Sequence, residues 1–272
     1  MPESVLDRIV EAVLNRLEST PEMPSLESAA RAATAIRRGT GRRSLIRALS
    51  GPTPALIAEC KKASPSAGMI RDPFDPVALA RSYAAGGASA ISVVTEPDFF
   101  GGDPEWLAVV RRSVTLPVLR KDFIVTRRQL YEASVLGADA VLLIGRLLDR
   151  EGLGDLLTLA AELELDVLLE IFADEDPSMA IESGAPIIGV NARDLATFEV
   201  RLDRVESIAA ELPADRVRVA ESGIRGPGDL NRLHAAGYDG FLVGEHLVRS
   251  EDPEEAVREL LGHGCGDGDG HE

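Results

Sequence analysis

Charged or amide side chains stand at the ends of several short apolar segments of the chain. They are Glu59, Lys61, Lys121, Glu170, Asn191 and Glu221. Lysine and glutamate can act as proton donor and proton acceptor when neighbouring charges and burial tune their pKa values. A set of this kind favours a convergent acid–base site over charges scattered on the surface.

The first of these segments, LIAECKKASPSAG at residues 56–68, has the form of a buried strand that ends in charges and then turns. Successive strand residues alternate faces, so Glu59 and Lys61 point one way and Cys60 and Lys62 the other. A solvated strand end with an ion pair would explain this segment alone. The same pattern, an apolar segment that ends in a charged or amide residue, recurs along the chain and favours a functional site.

Eight short segments rich in Val, Ile and Leu predict buried parallel strands. They lie at residues 56–61, 90–95, 118–121, 140–144, 167–171, 187–191, 217–221 and 240–243. Helical patterns alternate with them at 76–85, 104–112, 126–136, 150–163, 177–183, 203–211, 226–236 and 253–261. Eight such units predict an α/β fold, the (β/α)8 TIM barrel, whose strand ends form the site. A doubly wound sheet would usually have fewer units and a glycine-rich turn after its first strand.

The segments outside the barrel predict two further regions. Helical patterns at 4–18, 26–38 and 44–49 predict an N-terminal helical extension, residues 1–50, packed on a barrel at 51–261. Residues 262–272 lack apolar periodicity and predict a disordered tail.

Composition excludes several classes of function. The chain has 272 residues, 45% of them hydrophobic, and a formal net charge of -16, which argues against a nucleic-acid partner. Two cysteines, Cys60 and Cys265, form no disulfide framework and no metal-binding spacing. No signal peptide and no membrane-spanning stretch is evident in the sequence. We therefore expect a soluble cytoplasmic protein without a membrane partner.

Two glycine-containing stretches after the last two strands suggest a phosphate site. They are VAESGIRGPGDL at 219–230 and FLVGEHLV at 241–248. Small residues let backbone N–H groups approach an anion, and a short helix starting near Glu245 would add its positive end. Ordinary tight turns would also contain glycine. The position in the barrel favours phosphate, which often binds after strands seven and eight.

These motifs, taken in order, resemble the indole-3-glycerol phosphate synthase family. The resemblance rests on IAECKKASPS, ISVVTEPDFFGG, PVLRKDFIV, GADAVLLI, LLEIFADED, IIGVNARDLATFEV, VAESGI and GFLVGEHLV, from about residue 54 to 250. The leading helix IVEAVLNRLE is also similar to the family's extra helix. The resemblance implies ring closure, decarboxylation and dehydration of an anthranilate-linked deoxyribulose phosphate, without a metal or an organic cofactor.

The resemblance also implies roles for the strand-end residues. Lys121 matches the general acid and Glu170 the general base. Glu59 and Lys61 match a first-strand pair, of which Lys61 also reaches anionic groups of the substrate. Asn191 and Glu221 match groups that hold the substrate hydroxyls and the lysine network.

Substrate-binding positions follow from the same resemblance. The phosphate positions are Ser64, Ser222, Gly223, Gly244 and Glu245, with the glycines and Glu245 acting mainly through backbone N–H groups. Arg193 matches a further substrate contact, and Phe100 and Phe123 fit the slot for the anthranilate ring. The chain departs from the family at Ala67, where a basic residue is frequent, and at Phe172, where histidine is frequent. The expected partner is a small phosphorylated substrate, and we expect a monomer or weak homodimer.

Two alternatives compete with this interpretation. An isomerase of a related aminosugar phosphate would be expected to use a Cys/Asp acid–base pair, but Cys60 faces away from Glu59 and Lys61. A non-catalytic phosphosugar-binding barrel would keep the phosphate turns and lose the strand-end lysines and glutamates. This chain has both.

Overall fold

A computed structural model describes residues 4–20, 27, 30–31, 34–35, 41–194 and 198–263. Within these residues, eight parallel strands close into a barrel in which each strand pairs with its neighbours in the chain and the last pairs with the first. The strands are β1 Ala55–Cys60, β2 Ala90–Val94, β3 Val118–Lys121, β4 Ala140–Ile144, β5 Asp166–Phe172, β6 Ile187–Asn191, β7 Val217–Glu221 and β8 Gly240–Val243. The predicted (β/α)8 barrel is confirmed.

Helices precede the barrel and connect its strands. They are α1 Val5–Ser19, α2 Leu45–Leu49, α3 Pro76–Gly86, α4 Pro97–Phe100, α5 Pro104–Ser113, α6 Arg127–Val135, α7 Arg150–Glu162, α8 Ser178–Ser183, α9 Leu202–Ile208, α10 Pro227–Ala235, α11 Glu245–Arg249 and α12 Pro253–Leu260. A short antiparallel hairpin follows β1, in which Ala63–Ser64 pairs with Gly68–Met69. Most of the helix predicted at 26–38 and most of the predicted tail lie outside the described residues.

Several helices begin where the sequence supplies both a cap and a fixed backbone angle. α3, α5 and α12 each start with an aspartate followed by proline, and Asp75 accepts hydrogen bonds from the backbone N–H groups of Val77 and Ala78. The side chain satisfies N–H groups that have no partner within the helix, and proline is pre-set for the first turn. The predicted helix at 203–211 ends earlier, at Ile208, and turns follow it before Pro213.

The barrel has an inner and an outer apolar layer. Inward residues of the strands, such as Ile57, Leu119 and Val219, form one cluster, and residues between the strands and the helices form the other. Leu45 and Leu49 of α2 belong to the inner cluster, so this helix closes the bottom of the barrel. The opposite end, where the strands finish, is left open for a site.

Candidate active site

The strand ends and the loops after them surround one cavity of about 390 Å³. All the predicted catalytic and substrate-binding residues line it: Glu59, Lys61, Ser64, Phe100, Lys121, Phe123, Glu170, Asn191, Arg193, Glu221, Ser222, Gly223, Gly244 and Glu245. The convergence predicted from separate apolar segments is therefore present in the fold.

Strand register explains why the charged residues meet. In parallel pairs, residues opposite each other project from the same face of the sheet. Asn191 lies opposite Glu221, and Glu170 lies opposite Gly189, so these positions all face the barrel interior. Cys60 projects the other way and belongs to the outer cluster, as strand alternation predicted. Burial raises the pKa of the Cys60 thiol, which makes a catalytic role for this cysteine unfavourable.

Two lysines organise the carboxyl groups of the cavity. Lys121 Nζ lies 2.8 Å from Glu170 Oε2 and 3.6 Å from Glu221 Oε2. Lys61 Nζ lies 2.7 Å from Glu59 Oε1. Both lysine side chains are partly exposed, 17% for Lys121 and 18% for Lys61, whereas the side chains of Glu59, Glu170 and Glu221 are nearly fully buried. A bound molecule can therefore reach the lysines directly.

The pKa values of the Lys121 cluster are displaced by burial and by one another. Burial alone would lower the pKa of Lys121, but Glu170, Glu221 and Glu59 outweigh it and the pKa is raised. Burial would raise the pKa of Glu170, but the Lys121 ammonium and hydrogen bonds outweigh it and the pKa is lowered. Asn191 Nδ2 donates one of these bonds to Glu170 Oε1 over 3.2 Å.

Glu221 is the exception within this cluster. Burial and the negative Glu170 raise its pKa well above the ordinary value, more than Lys121 lowers it. The environment thus favours the charged forms of Lys121 and Glu170 and the neutral form of Glu221. Carboxyl groups whose environments push their pKa values apart are a common feature of acid–base sites.

The predicted phosphate loops surround one side of the cavity. Ser222 and Gly223, directly after β7, both have left-handed backbone conformations, with φ 67° and φ 79°. A non-glycine residue in this region is uncommon and is often found at functional sites. Across from them, Glu245 Oε2 lies 3.7 Å from Arg193 Nη2 and its other oxygen accepts from Arg249 Nε over 3.1 Å.

An aromatic pair forms another wall. The rings of Phe100 and Phe123 are 5.8 Å apart and tilted by 39°. Phe100 ends the short helix α4, whose first N–H groups donate to the buried carboxylate of Glu96. The cap fixes this helix, and with it the position of Phe100.

Some cavity residues were not predicted from the sequence. Val5, Leu6 and Ile9 of α1 line the cavity, and so do Arg225 and Arg249. The apolar stripe of α1 indicates only that the helix packs against something. Arg225 directly follows the VAESGI motif, and this position was the signal available for it. Phe172, one departure from the family pattern, is buried beneath the guanidinium of Arg146, 4.4 Å from the ring centre.

Lysines and carboxyl groups at the strand ends of a (β/α)8 barrel, gathered around one cavity, are typical of the enzymes of this fold. The family model "Indole-3-glycerol phosphate synthase" matches residues 6–260, and the chain belongs to this family. It is 49% identical to indole-3-glycerol phosphate synthase of Sulfurimonas denitrificans over 75% of this chain and 78% of that protein. It is 44% identical to the enzyme of Mycobacterium avium over 96% of this chain and 94% of that protein.

Solved structures show the same fold at much lower identity. The 3-hexulose-6-phosphate synthase of Salmonella typhimurium matches with a TM-score of 0.61 and 16% identity, over 76% of this chain and 97% of that chain. The family fixes the activity: the chain is a carboxy-lyase of tryptophan biosynthesis that forms indole-3-glycerol phosphate. Among the described residues, no helix has both the length and the apolar character needed to cross a membrane.

Proposed function

We propose that Lys121 is the acid and Glu170 the base of this reaction. The substrate, 1-(2-carboxyphenylamino)-1-deoxy-D-ribulose 5-phosphate, carries an open sugar chain on the nitrogen of an anthranilate ring. The observation that carries the proposal is the contact of 2.8 Å between Lys121 Nζ and Glu170 Oε2 inside the cavity. This places a charged donor and a charged acceptor within reach of the same bound molecule.

Ring closure is the step assigned to Lys121. The ring carbon that bears the carboxylate attacks the sugar C2 carbonyl, a carbon–carbon bond forms, and negative charge develops on the carbonyl oxygen. Lys121 donates a hydrogen bond and then a proton to that oxygen. Although the pKa of Lys121 is raised, an alkoxide is basic enough to take its proton, and the charged ammonium also stabilises the transition state.

The later steps restore aromaticity twice. Departure of CO2 returns the electrons of its bond to the six-membered ring and leaves a hydroxyl group at C2. Loss of that hydroxyl as water requires a proton, which we assign to Lys61 beside Glu59. Glu170 then accepts the proton from the neighbouring CH2 carbon, and the indole double bond forms. Its lowered pKa keeps Glu170 ionised for this role.

Binding is assigned to the surrounding walls. Backbone N–H groups of Ser222, Gly223, Gly244 and Glu245 and the Ser64 hydroxyl hold the phosphate. Arg193 is a further substrate contact, and Phe100 and Phe123 hold the anthranilate ring. Asn191 and Glu221 hold the sugar hydroxyls and the lysine network. The support is that all of them line the same cavity. We further propose that the enzyme works in the cytoplasm, because its two cysteines form no disulfide framework, and as a monomer or weak homodimer, because a net charge of -16 opposes self-association.

Single-turnover kinetics with carboxyl-labelled substrate tests the division between Lys121 and Glu170. Glu170→Gln keeps the shape of the side chain but cannot take a proton, so we expect CO2 release before a delayed indole signal. Glu206→Gln, at a surface pair with Arg232, is the matched control and should leave both signals unchanged. CO2 release as slow as indole formation in the Glu170 variant would place Glu170 at or before ring closure.

A further inference from the structure

Gly189 lies in the middle of β6 and faces the barrel interior. Its register partners are Glu170 in β5 and Val219 in β7, both inward-facing residues. Gly189 is not among the residues with positive φ, so its backbone conformation is open to any amino acid. Glycine in the interior of a strand weakens it, and its presence often marks the close approach of another group.

The group that approaches Gly189 is the carboxyl of Glu221. A Cβ atom built on Gly189 would lie 2.2 Å from Glu221 Oε1 and 3.3 Å from Glu221 Cδ. The next contact, Leu168 Cδ1 at 3.0 Å, is the end of a flexible side chain that can shift. Because Glu221 stands opposite Asn191, two residues beyond Gly189, its side chain leans back over the neighbouring strand to fill this space.

The position of the Glu221 carboxyl has a chemical consequence. Leaning over β6 brings Oε2 to 3.6 Å from Lys121 Nζ. Among the described residues, neither carboxyl oxygen of Glu221 has a hydrogen-bond partner. A buried polar group without a donor is costly, so this carboxyl would move toward the open mouth if its space were filled.

We propose that Gly189 is a positioning residue for the reaction: its missing side chain is the space that holds the Glu221 carboxyl beside Lys121. This inference rests on the proposed participation of Glu221 in the lysine network. It assigns a function to a residue that touches neither the substrate nor the reacting atoms.

A second inward glycine provides a matched control. Gly240 begins β8 at the bottom of the barrel, where an added Cβ would meet Val219 Cγ2 at 3.2 Å and Leu49 Cδ2 at 3.3 Å. Both neighbours are apolar and lie away from the cavity lining. Alanine at 189 and alanine at 240 therefore add the same methyl group to the same barrel interior, but only one of them displaces a carboxyl.

The first experiment compares the steady-state kinetics of Gly189→Ala and Gly240→Ala. We expect kcat of Gly189→Ala to fall about 100-fold, the scale of a displaced catalytic group, with KM changed by less than about threefold. Gly240→Ala should keep kcat and lose only thermal stability. Equal kcat values for the wild-type protein and a folded Gly189→Ala variant would overturn the proposal.

The second experiment measures Tm in the pair Glu221→Ala and Glu221→Ala/Gly189→Ala, and it remains informative if Gly189→Ala alone does not fold. Without the Glu221 carboxyl the added methyl group has room. Gly189→Ala should therefore lower the Tm of the Glu221→Ala variant much less than it lowers the Tm of the wild-type protein. If Gly189→Ala lowers Tm equally in the wild-type protein and in the Glu221→Ala variant, the space at Gly189 does not hold the Glu221 carboxyl, and the proposal is wrong.

Further variants test whether activity can be rescued and distinguish failure of the Gly189 inference from failure of the proposed role of Glu221. Shortening the side chain should release the clash, so Gly189→Ala/Glu221→Asp should have a kcat close to that of Glu221→Asp alone. If Glu221→Gln has wild-type kinetics, the proposed role of Glu221 fails. If Glu221→Gln is impaired while Gly189→Ala is folded and fully active, only the inference about Gly189 fails.

Discussion

Arg120 and Lys121 are adjacent in β3, yet their side chains enter two different environments. Arg120 points into the outer layer, where it donates to Thr95, to Asp122 and to the backbone carbonyl of Gln129 over 2.8–3.3 Å. Lys121 points into the cavity, where one hydrogen bond to Glu170 is its closest contact. Each is a cation beside carboxylates, so charge alone does not distinguish them.

The difference lies in how completely each cluster is satisfied. Asp122 accepts from Arg120, from the Thr95 hydroxyl and from the backbone N–H of Phe123, so both its oxygens are used. Glu221 accepts no hydrogen bond among the described residues and keeps a raised pKa. A saturated buried network stabilises one structure, whereas an incompletely paired one retains capacity for a substrate.

The largest effect should come from breaking the outer network. Arg120→Met leaves the Asp122 carboxylate buried without its cation, which costs about 3–5 kcal/mol of unfolding free energy. Urea unfolding measures it, and kcat per folded molecule should stay within a few-fold of wild type because Arg120 does not line the cavity. A stability loss below about 1 kcal/mol would show that this network is not the stabilising one.

The next effect should come from the inner cation. Lys121→Met should lower kcat about 100-fold, equivalent to about 2.7 kcal/mol of transition-state stabilisation, with substrate still bound. Its loss of stability should be smaller than that of Arg120→Met, since Lys121 is partly exposed and the cavity admits water. The comparison of the two residues fails if Lys121→Met is the less stable variant or retains normal kcat.

Binding and chemistry should separate within the cavity. Gly223→Ala places a Cβ atom 2.3 Å from Val200 Cγ1 at a left-handed residue, so the loop must shift and its N–H groups with it. We expect KM to rise about tenfold, equivalent to about 1.4 kcal/mol, with a smaller loss of kcat. Gly226→Ala in the same loop, where nothing lies within 4 Å, is the control and should change neither constant.

Strand alternation and apolar segments were sufficient to predict the barrel and the inward set. They place Arg120 and Lys121 on opposite faces, but they could not predict that Arg120 would pair with Thr95, Asp122 and Gln129, because those contacts depend on how the outer layer packs. The α1 stripe predicted packing but not that Val5, Leu6 and Ile9 line the cavity. The space at Gly189 depends on the path of a side chain from another strand, for which local patterns give no signal.

The smallest effect concerns Glu221 and Glu170, whose contributions to stability should depend on pH in opposite directions. The folded pKa of Glu221 is raised, so between the ordinary carboxyl pKa of 4.5 and its own pKa the folded chain holds more protons than the unfolded chain. Stability from this group is therefore full below about pH 4.5 and lost as pH rises. For Glu170 the pKa is lowered, so its contribution is present at neutral pH and lost as pH falls through its folded value.

Glutamine does not titrate, so replacing each glutamate by glutamine should reveal the two opposite pH dependences as changes in Tm. Relative to wild type, Glu221→Gln should gain Tm as pH rises from 5 to 8, by about 2–4 °C, the shift that about 1 kcal/mol gives in a domain of roughly this size. Glu170→Gln should instead lose Tm at neutral pH, by an amount that shrinks as the medium becomes acidic. Calorimetry across this pH series measures both differences. If the two signs are exchanged at pH 8, so that Glu221→Gln loses Tm and Glu170→Gln gains it, the charge lies on Glu221 rather than Glu170, and the assignment of Glu170 as the ionised base is wrong.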